Sequence, residues 1–337
     1  VEARTRTLAG RGALLALGLA GALGWVAILS SDAGLGSGPV PTVEDWPKEF
    51  RYYAVLQQAV HEARPPLFIT RPILTGRKLL AVPELNLSPQ VLLLAALPVA
   101  RFVLVDVLLN YAAGCVGLLL LRRRYRLGPM PLAWLGLLFF FNGHLVAHMA
   151  VGHSMWAAHF LLPFFVLAVL ELAERPVRRT PYLLAAVLFA MLLRGGFHLF
   201  VWCVLLLLLA AAFNPARLGA PVARALAWAA ALGAVRLLPG AFLARQREQA
   251  FITGFPSAGV LWRALVSVRD AAEPLQGGFF GSLAWWEFDT YVGPVGLLWL
   301  LGCGVALAWR VPALPGRAER ALYLPLAVMA ALSLGDA

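Results

Sequence analysis

Charged side chains are scarce in this sequence. They make up 13% of 337 residues, against roughly 25% in a soluble domain. Hydrophobic residues reach 61%, and the mean hydropathy is +0.78. A surface so poor in charge excludes a water-soluble globule. Short segments of alternating polarity, the mark of a membrane β-barrel, are missing too, because the apolar runs are long and continuous. Cysteine is equally sparse: Cys115, Cys203 and Cys303 all fall inside apolar runs. That excludes a disulfide framework and a CxxC metal site. No HExxH pattern and no internal repeat is present. The fold class these absences leave is an all-α polytopic membrane protein.

The net charge of +11 suggests nucleic acid until the charges are placed. Arg4, Arg6 and Arg11 precede the first apolar run, and Arg122-Arg123-Arg124-Tyr125-Arg126, Arg175, Arg178, Arg179, Arg217, Arg224, Arg310, Arg317 and Arg320 sit in short loops. Basic residues gathered in short loops are the positive-inside signature, so nucleic acid is not a partner. With the N-terminus cytoplasmic, the inner segments hold fifteen arginines and four acids, and twelve of the seventeen acids fall outside. This count predicts about nine transmembrane helices, near 8–29, 91–121, 130–147, 155–172, 182–193, 197–213, 225–239, 291–309 and 321–334. Pro98 and Arg101 suggest an interfacial half-helix before the second span, and 182–193 alone is short for ~30 Å of hydrocarbon. The whole of 1–337 reads as one transmembrane domain, with outer loops at 31–90 and 240–290. The first residue, Val1, and the close on Asp336-Ala337 beside an apolar run lead us to expect a fragment with more chain after it.

The first outer loop carries Pro41-Thr42-Val43-Glu44-Asp45-Trp46-Pro47, an acidic pair ahead of an expected amphipathic helix over 48–63. There Phe50, Tyr53, Leu56 and Val60 recur at helical spacing, with Lys48, Glu49, Arg51 and Glu62 toward water. Pro47 suits a first helical turn. An Asp at a helix start often only caps it. Two adjacent carboxylates repel, however, and such pairs serve a cation or a proton transfer. A divalent cation such as Mg or Mn between Glu44 and Asp45 is one such use.

Arg101, Arg194 and Arg236 lie at the outer edges of spans, and Arg245 and Arg247 follow the seventh. Each can snorkel to the interface, or together they can bind a lipid phosphate, whose oxygens guanidinium matches in pairs. His144, His148, His153 and His159 crowd one outer turn, and His198 follows Gly195-Gly196. Polar contacts to a sugar or phosphate, or ordinary buried hydrogen bonds, fit these histidines better than a metal. In the second outer loop Trp285, Trp286, Glu287, Asp289 and Tyr291 combine aromatic faces with carboxylates. That suits either an interfacial aromatic belt or a carbohydrate.

The ordered set Glu44-Asp45-Trp46, Pro83-Glu84-Leu85-Asn86-Leu87-Ser88-Pro89, Gly152-His153 with Pro163, Gly195-Gly196, and Trp286-Glu287 with Tyr291-Val292-Gly293 resembles the GT-C glycosyltransferases. It is most similar to bacterial membrane proteins of the YfhO type. The resemblance implies a GT-C-like domain in the bacterial inner (plasma) membrane with its active site on the extracytoplasmic side. It implies transfer of a sugar from a polyprenyl-phosphate donor to a glycan, lipid or protein acceptor, with inversion. Asp45 would be the general base, assisted by Glu44. Arg101, Arg194, Arg236 and Arg245, with His153, His198, Glu287 and Tyr291, would bind substrate and phosphate. Further C-terminal helices or a domain would follow. A transporter or flippase of lipid-linked saccharide is the first alternative, with Asp106 the one acid well inside a span. A surface-polysaccharide polymerase or ligase, relying on Arg263 and Arg269, is the second.

Overall fold

The computed structural model describes residues 2–31, 44–65, 79–174, 177–244, 254–270, 273–278, 281–302 and 317–334. Among these the chain is almost wholly helical: α1 Glu2–Ser31, α2 Trp46–His61, α3 Val99–Tyr125, α4 Pro129–Phe140, α5 Gly143–Ala150, α6 Leu162–Glu174, α7 Thr180–Leu193, α8 Phe197–Phe213, α9 Pro215–Ala244, α10 Ala258–Val266, α11 Gly293–Trp299 and α12 Arg317–Leu332. One antiparallel hairpin, β1 Pro274–Gly278 and β2 Gly281–Ala284, pairs Pro274 with Ala284 and Gln276 with Ser282. The sequence reading did not anticipate it.

By length and composition, three described helices can cross a membrane: Val99–Tyr125, Ser154–Glu174 (a 3-10 segment running into α6) and Pro215–Ala241. The helices α4 and α5 make a fourth only as a broken pair bent by 43°. The span expected over 130–147 is therefore interrupted, with Phe141 and Asn142 outside either helix. Asn142 Oδ1 accepts the Leu145 N–H at 2.9 Å, satisfying one of the donors that a helix start leaves open. Shorter apolar helices cover Leu15–Ser30, Thr180–Leu193, Phe197–Phe213 and Gly293–Gly302. Large apolar side chains stay exposed on these helices, among them Leu15, Val116, Leu208, Leu238 and Leu298. That outer skin belongs in lipid, since soluble proteins rarely show one so extensive.

The described chain falls into two compact units. The first holds residues up to Phe141, His148–Phe164 and Leu193–Gly196. Its core is aromatic: Trp25 stacks on Phe141 at 5.5 Å and meets Phe160 edge-on at 5.6 Å, and Tyr111 contacts Phe140 at 4.9 Å. Such tilted pairs contribute beyond their buried area. Gly114 and Gly117 thin α3 where the 3-10 segment Ser154–Leu161 lies across it. A Cβ on Gly114 would stand 2.8 Å from the Phe140 ring, and one on Gly117 would stand 2.7 Å from Pro163. The half-helix expected before the second span is a 3-10 turn, Pro89–Ala95, and Pro98 separates it from α3.

The helix α2 forms as its spacing predicts, burying Trp46, Phe50, Tyr52, Tyr53 and Leu56, while Arg51 and Glu62 face out. Glu49 departs from expectation: it is only 4% exposed, because the face it shares with Tyr53 is covered by the turn after α5. Gln57 Nε2 donates to the carbonyls of Leu94 and Leu97 at 3.1 and 2.9 Å, tying α2 to the Pro89–Ala95 turn.

The second unit holds Asn142–Ala147, Phe165–Leu192 and Phe197 onward. Within it α8 packs on α9 and α12, and Asn214 Nδ2 donates to Ala321 O at 3.2 Å. Trp285 is fully buried against Val260 and Ala264. The Arg269 guanidinium lies 5.2 Å over its ring, in cation–π range.

At Gly152 the backbone takes φ +101°, and an added Cβ would meet Trp46 N at 2.5 Å. Gly152→Ala should therefore destabilise by at least about 1–3 kcal/mol from backbone strain alone, read as a lowered unfolding midpoint in detergent. Gly219, helical and with open space around its Cβ position, is the control: its alanine variant should match or slightly exceed the parent.

Candidate functional site

The Glu44-Asp45 turn opens α2. Glu44 adopts φ 41° and is exposed. Asp45 occupies the N-cap position, yet its carboxylate caps nothing; its backbone carbonyl takes the Lys48 and Glu49 amides instead. The capping explanation therefore fails for this side chain. Asp45 Oδ2 receives Lys48 Nζ and His153 Nε2, each at 2.8 Å, and the carboxylate remains 39% exposed.

The turn after α5 brings His153 there. Asp45 N–H donates to Val151 O at 2.9 Å and Trp46 Nε1 to Ala150 O at 2.9 Å, which locks the turn onto the start of α2. Behind His153 stands His148, 3% exposed. The rings stack with centroids 5.1 Å apart and their Nδ1 atoms 2.8 Å apart. One Nδ1 must donate and the other accept. A neutral His153 that donates Nε2–H to Asp45 therefore receives the Nδ1–H of His148.

This arrangement does not fit a metal. Two imidazole nitrogens on one zinc sit about 3.3 Å apart at ~2.0 Å bond lengths, so 2.8 Å is a hydrogen bond. No three His, Cys, Asp or Glu side chains among the described residues surround a common point. The divalent cation suggested for Glu44 and Asp45 fits no better, because an ammonium and an imidazole already hold Asp45.

Electrostatics separate the two carboxyls of α2. The His153 hydrogen bond holds Asp45 well below the usual carboxylate range; burial opposes this and Lys48 adds to it. Glu49 moves the other way, pushed up to about 7 by burial, which outweighs the Ser154 hydrogen bond and the Lys48 charge. Burial works against the Lys48 ammonium, but its bond to Asp45 and the charge of Glu49 leave its value raised.

From Glu49 a buried polar chain leads inward. Ser154 Oγ donates to Glu49 Oε2 at 2.6 Å and shares a 2.8 Å hydrogen bond with Tyr53 OH. Tyr53 neighbours Arg194, whose Nη2 forms an ion pair with Asp106 Oδ2. Asn110 Nδ2 donates to Asp106 at 3.3 Å, and Asn86 Nδ2 does so at 3.5 Å. Arg194 and Asp106 are each 1% exposed. Arg194 is thus neither snorkelling nor open to a phosphate; it neutralises Asp106 within the Val99–Tyr125 span.

The remaining predicted residues are spread out. Arg101 is exposed in the first turn of α3 in the first unit. In the second unit Arg236 is buried in α9, His198 is exposed at the start of α8, and Glu287 is exposed in the turn Trp285–Glu287. There Tyr291 is half-buried, its N–H donating to Asp289 Oδ1 at 2.8 Å and its carbonyl accepting from Gly143 at 2.8 Å. His159, half-buried, stacks on Phe139 at 4.5 Å and its Nε2 lies 3.2 Å from the Phe139 carbonyl. Arg263 is exposed, and Arg269 is tied to Glu273. Arg245 lies outside the described residues. Sequence reasoning missed Lys48, Glu49, Tyr53 and Ser154 as site residues. The signal for the first two was present, because positions 45, 48 and 49 lie on one face of a helix. Comparison with protein-family models, with curated proteins and with solved structures gives no match.

Two measurements follow from the buried groups. Arg194→Gln leaves Asp106 buried and unpaired and should cost about 3–5 kcal/mol, most of it recovered in Arg194→Met/Asp106→Leu, by unfolding in detergent. Glu49 binds more protons folded than unfolded, so stability should fall as pH rises from about 4.5 to about 7. The loss should be about 3 kcal/mol and absent in Glu49→Gln. Asp45 acts oppositely: its contribution is present above the model-peptide value of 3.8 and is lost as pH falls below it.

Proposed function

We propose that this chain is a membrane glycosyltransferase of GT-C type. It moves a sugar from a polyprenyl-phosphate donor to an acceptor hydroxyl on the extracytoplasmic face of the bacterial plasma membrane, through nine spans with the N-terminus inside. The observation that carries the reading is Asp45: an ionised, half-exposed carboxylate fixed by Lys48 and His153 at the start of the amphipathic helix α2. A lipid-borne donor and a water-borne acceptor can meet only at such a boundary.

In the reaction the acceptor oxygen attacks the anomeric carbon, the bond from that carbon to the phosphate oxygen breaks, and the lipid phosphate leaves. The acceptor proton passes to Asp45. A carboxylate held this far down is a weak base. It suffices where the transition state is oxocarbenium-like and the attacking hydroxyl becomes acidic only late. Lys48 and His153 keep Asp45 charged and aimed, and the exposed Arg101 offers a guanidinium to the departing phosphate. Glu44 is an outer contact for the acceptor.

A flippase of the same lipid-linked saccharide draws on different features, the buried Arg194–Asp106 pair and the broken α4–α5 span, which transporters also use. The two readings part on Asp45. In proteoliposomes given a polyprenyl-phosphate sugar, Asp45→Asn should lower the transfer rate about 10²–10⁴-fold with folding retained. Transfer within twofold of the parent would remove Asp45 from the chemistry, and lipid translocation without transfer would favour the flippase.

A further inference from the structure

We propose that Glu49 is a proton-binding site, standing at the head of a buried polar chain that passes through Ser154 and Tyr53 to Arg194 and Asp106. This does not depend on sugar transfer.

The geometry accommodates the carboxyl in both protonation states. Glu49 is 4% exposed, and its one hydrogen-bonding partner on the turn after α5 is a hydroxyl, Ser154 Oγ, at 2.6 Å. A hydroxyl donates to a carboxylate or accepts from a carboxylic acid by turning about its C–O bond. The second neighbour of that hydroxyl is Tyr53 OH at 2.8 Å. With Glu49 ionised, Tyr53 donates to Ser154 and Ser154 to Glu49. With Glu49 protonated, Ser154 Oγ accepts from Glu49 through one lone pair and keeps the other for Tyr53. At the inner end the Arg194 guanidinium hydrogen-bonds the Tyr53 hydroxyl and pairs with Asp106, so a fixed donor closes the chain.

The charges around Glu49 come from every element against it. On α2 itself Lys48 favours the ionised form and Asp45 the neutral one; Glu84, from the segment before the Pro89–Ala95 turn, favours the neutral form. Arg194 lies close enough to couple with Glu49 and is itself offset by Asp106 on α3. His153 on the facing turn is committed to Asp45. Cations and acids pull in opposite directions, and burial, the largest influence, favours the proton. Lys48 senses Asp45, Glu49 and Glu84 together, so a proton on Glu49 leaves Lys48 more fully to Asp45, one helical turn away.

Infrared difference spectroscopy of the full chain in lipid nanodiscs, titrated from about pH 5 to about pH 9, reads this directly. A protonated-carboxyl C=O band should disappear with a midpoint near 7, be lost in Glu49→Gln and persist in Asp45→Asn. A band that survives Glu49→Gln, or none titrating in that range, overturns the proposal. Should Glu49→Gln fail to fold, Ser154→Ala replaces it. That variant removes a hydrogen bond to the charged form and should raise the midpoint by about one unit; an unmoved midpoint also overturns the proposal. Transfer retained in Asp45→Asn with the band intact would count against Asp45 as the base and leave Glu49 as the proton-binding site.

Discussion

A charge buried among apolar helices has to be neutralised where it stands. Asp106, in the first third of α3, sits 1% exposed; Arg194, brought in by the tight turn after α7, supplies the opposing charge, and Asn86 and Asn110 donate hydrogen bonds. That turn is held in place from both sides. Leu87 N–H donates to Leu193 O at 2.6 Å, and Gly195 at φ +85° lies against the Glu84 carbonyl, where a side chain would not fit. The Arg194 turn is thereby joined both to α3, through the ion pair, and to the 79–97 segment, and α2 rests on that segment through Gln57.

The two acids of α2 are treated differently by the same short turn. His153 donates to Asp45 and favours its ionised form; Ser154, the next residue, offers Glu49 a hydroxyl that can donate or accept. One carboxyl is half in water with two strong donors, and the other is in the dry interior with one weak donor. Environment rather than residue type assigns the roles.

Much of this was legible beforehand. Apolar run lengths gave the helices, and the apolar spacing of Phe50, Tyr53 and Leu56 gave α2, with Pro47 at its start. Glu49 was misjudged because helical spacing tells which residues share a face, not whether a distant turn will cover it. The partnership of Arg194 with Asp106 spans 88 positions, and that of Asp45 with His153 spans 108. No local pattern reports such distances. The break between α4 and α5 left only Asn142-Gly143 as a trace, and the hairpin at 274–284 falls in a Gly-rich stretch that reads as loop. Of the predicted ligands, His153 reaches Asp45, on the turn that Gly152 permits.

Lysine occurs at two places in the whole sequence, 48 and 78, while arginine supplies nearly all other positive charge. Lys48 is drawn against Asp45, with its side chain still 36% exposed. Amine-directed acylating reagents therefore have very few targets here, and one of them is in direct contact with the carboxylate. The extent of labelling at Lys48 becomes a footprint of what occupies the mouth of the site, and bound ligand would register as protection without any assay of turnover.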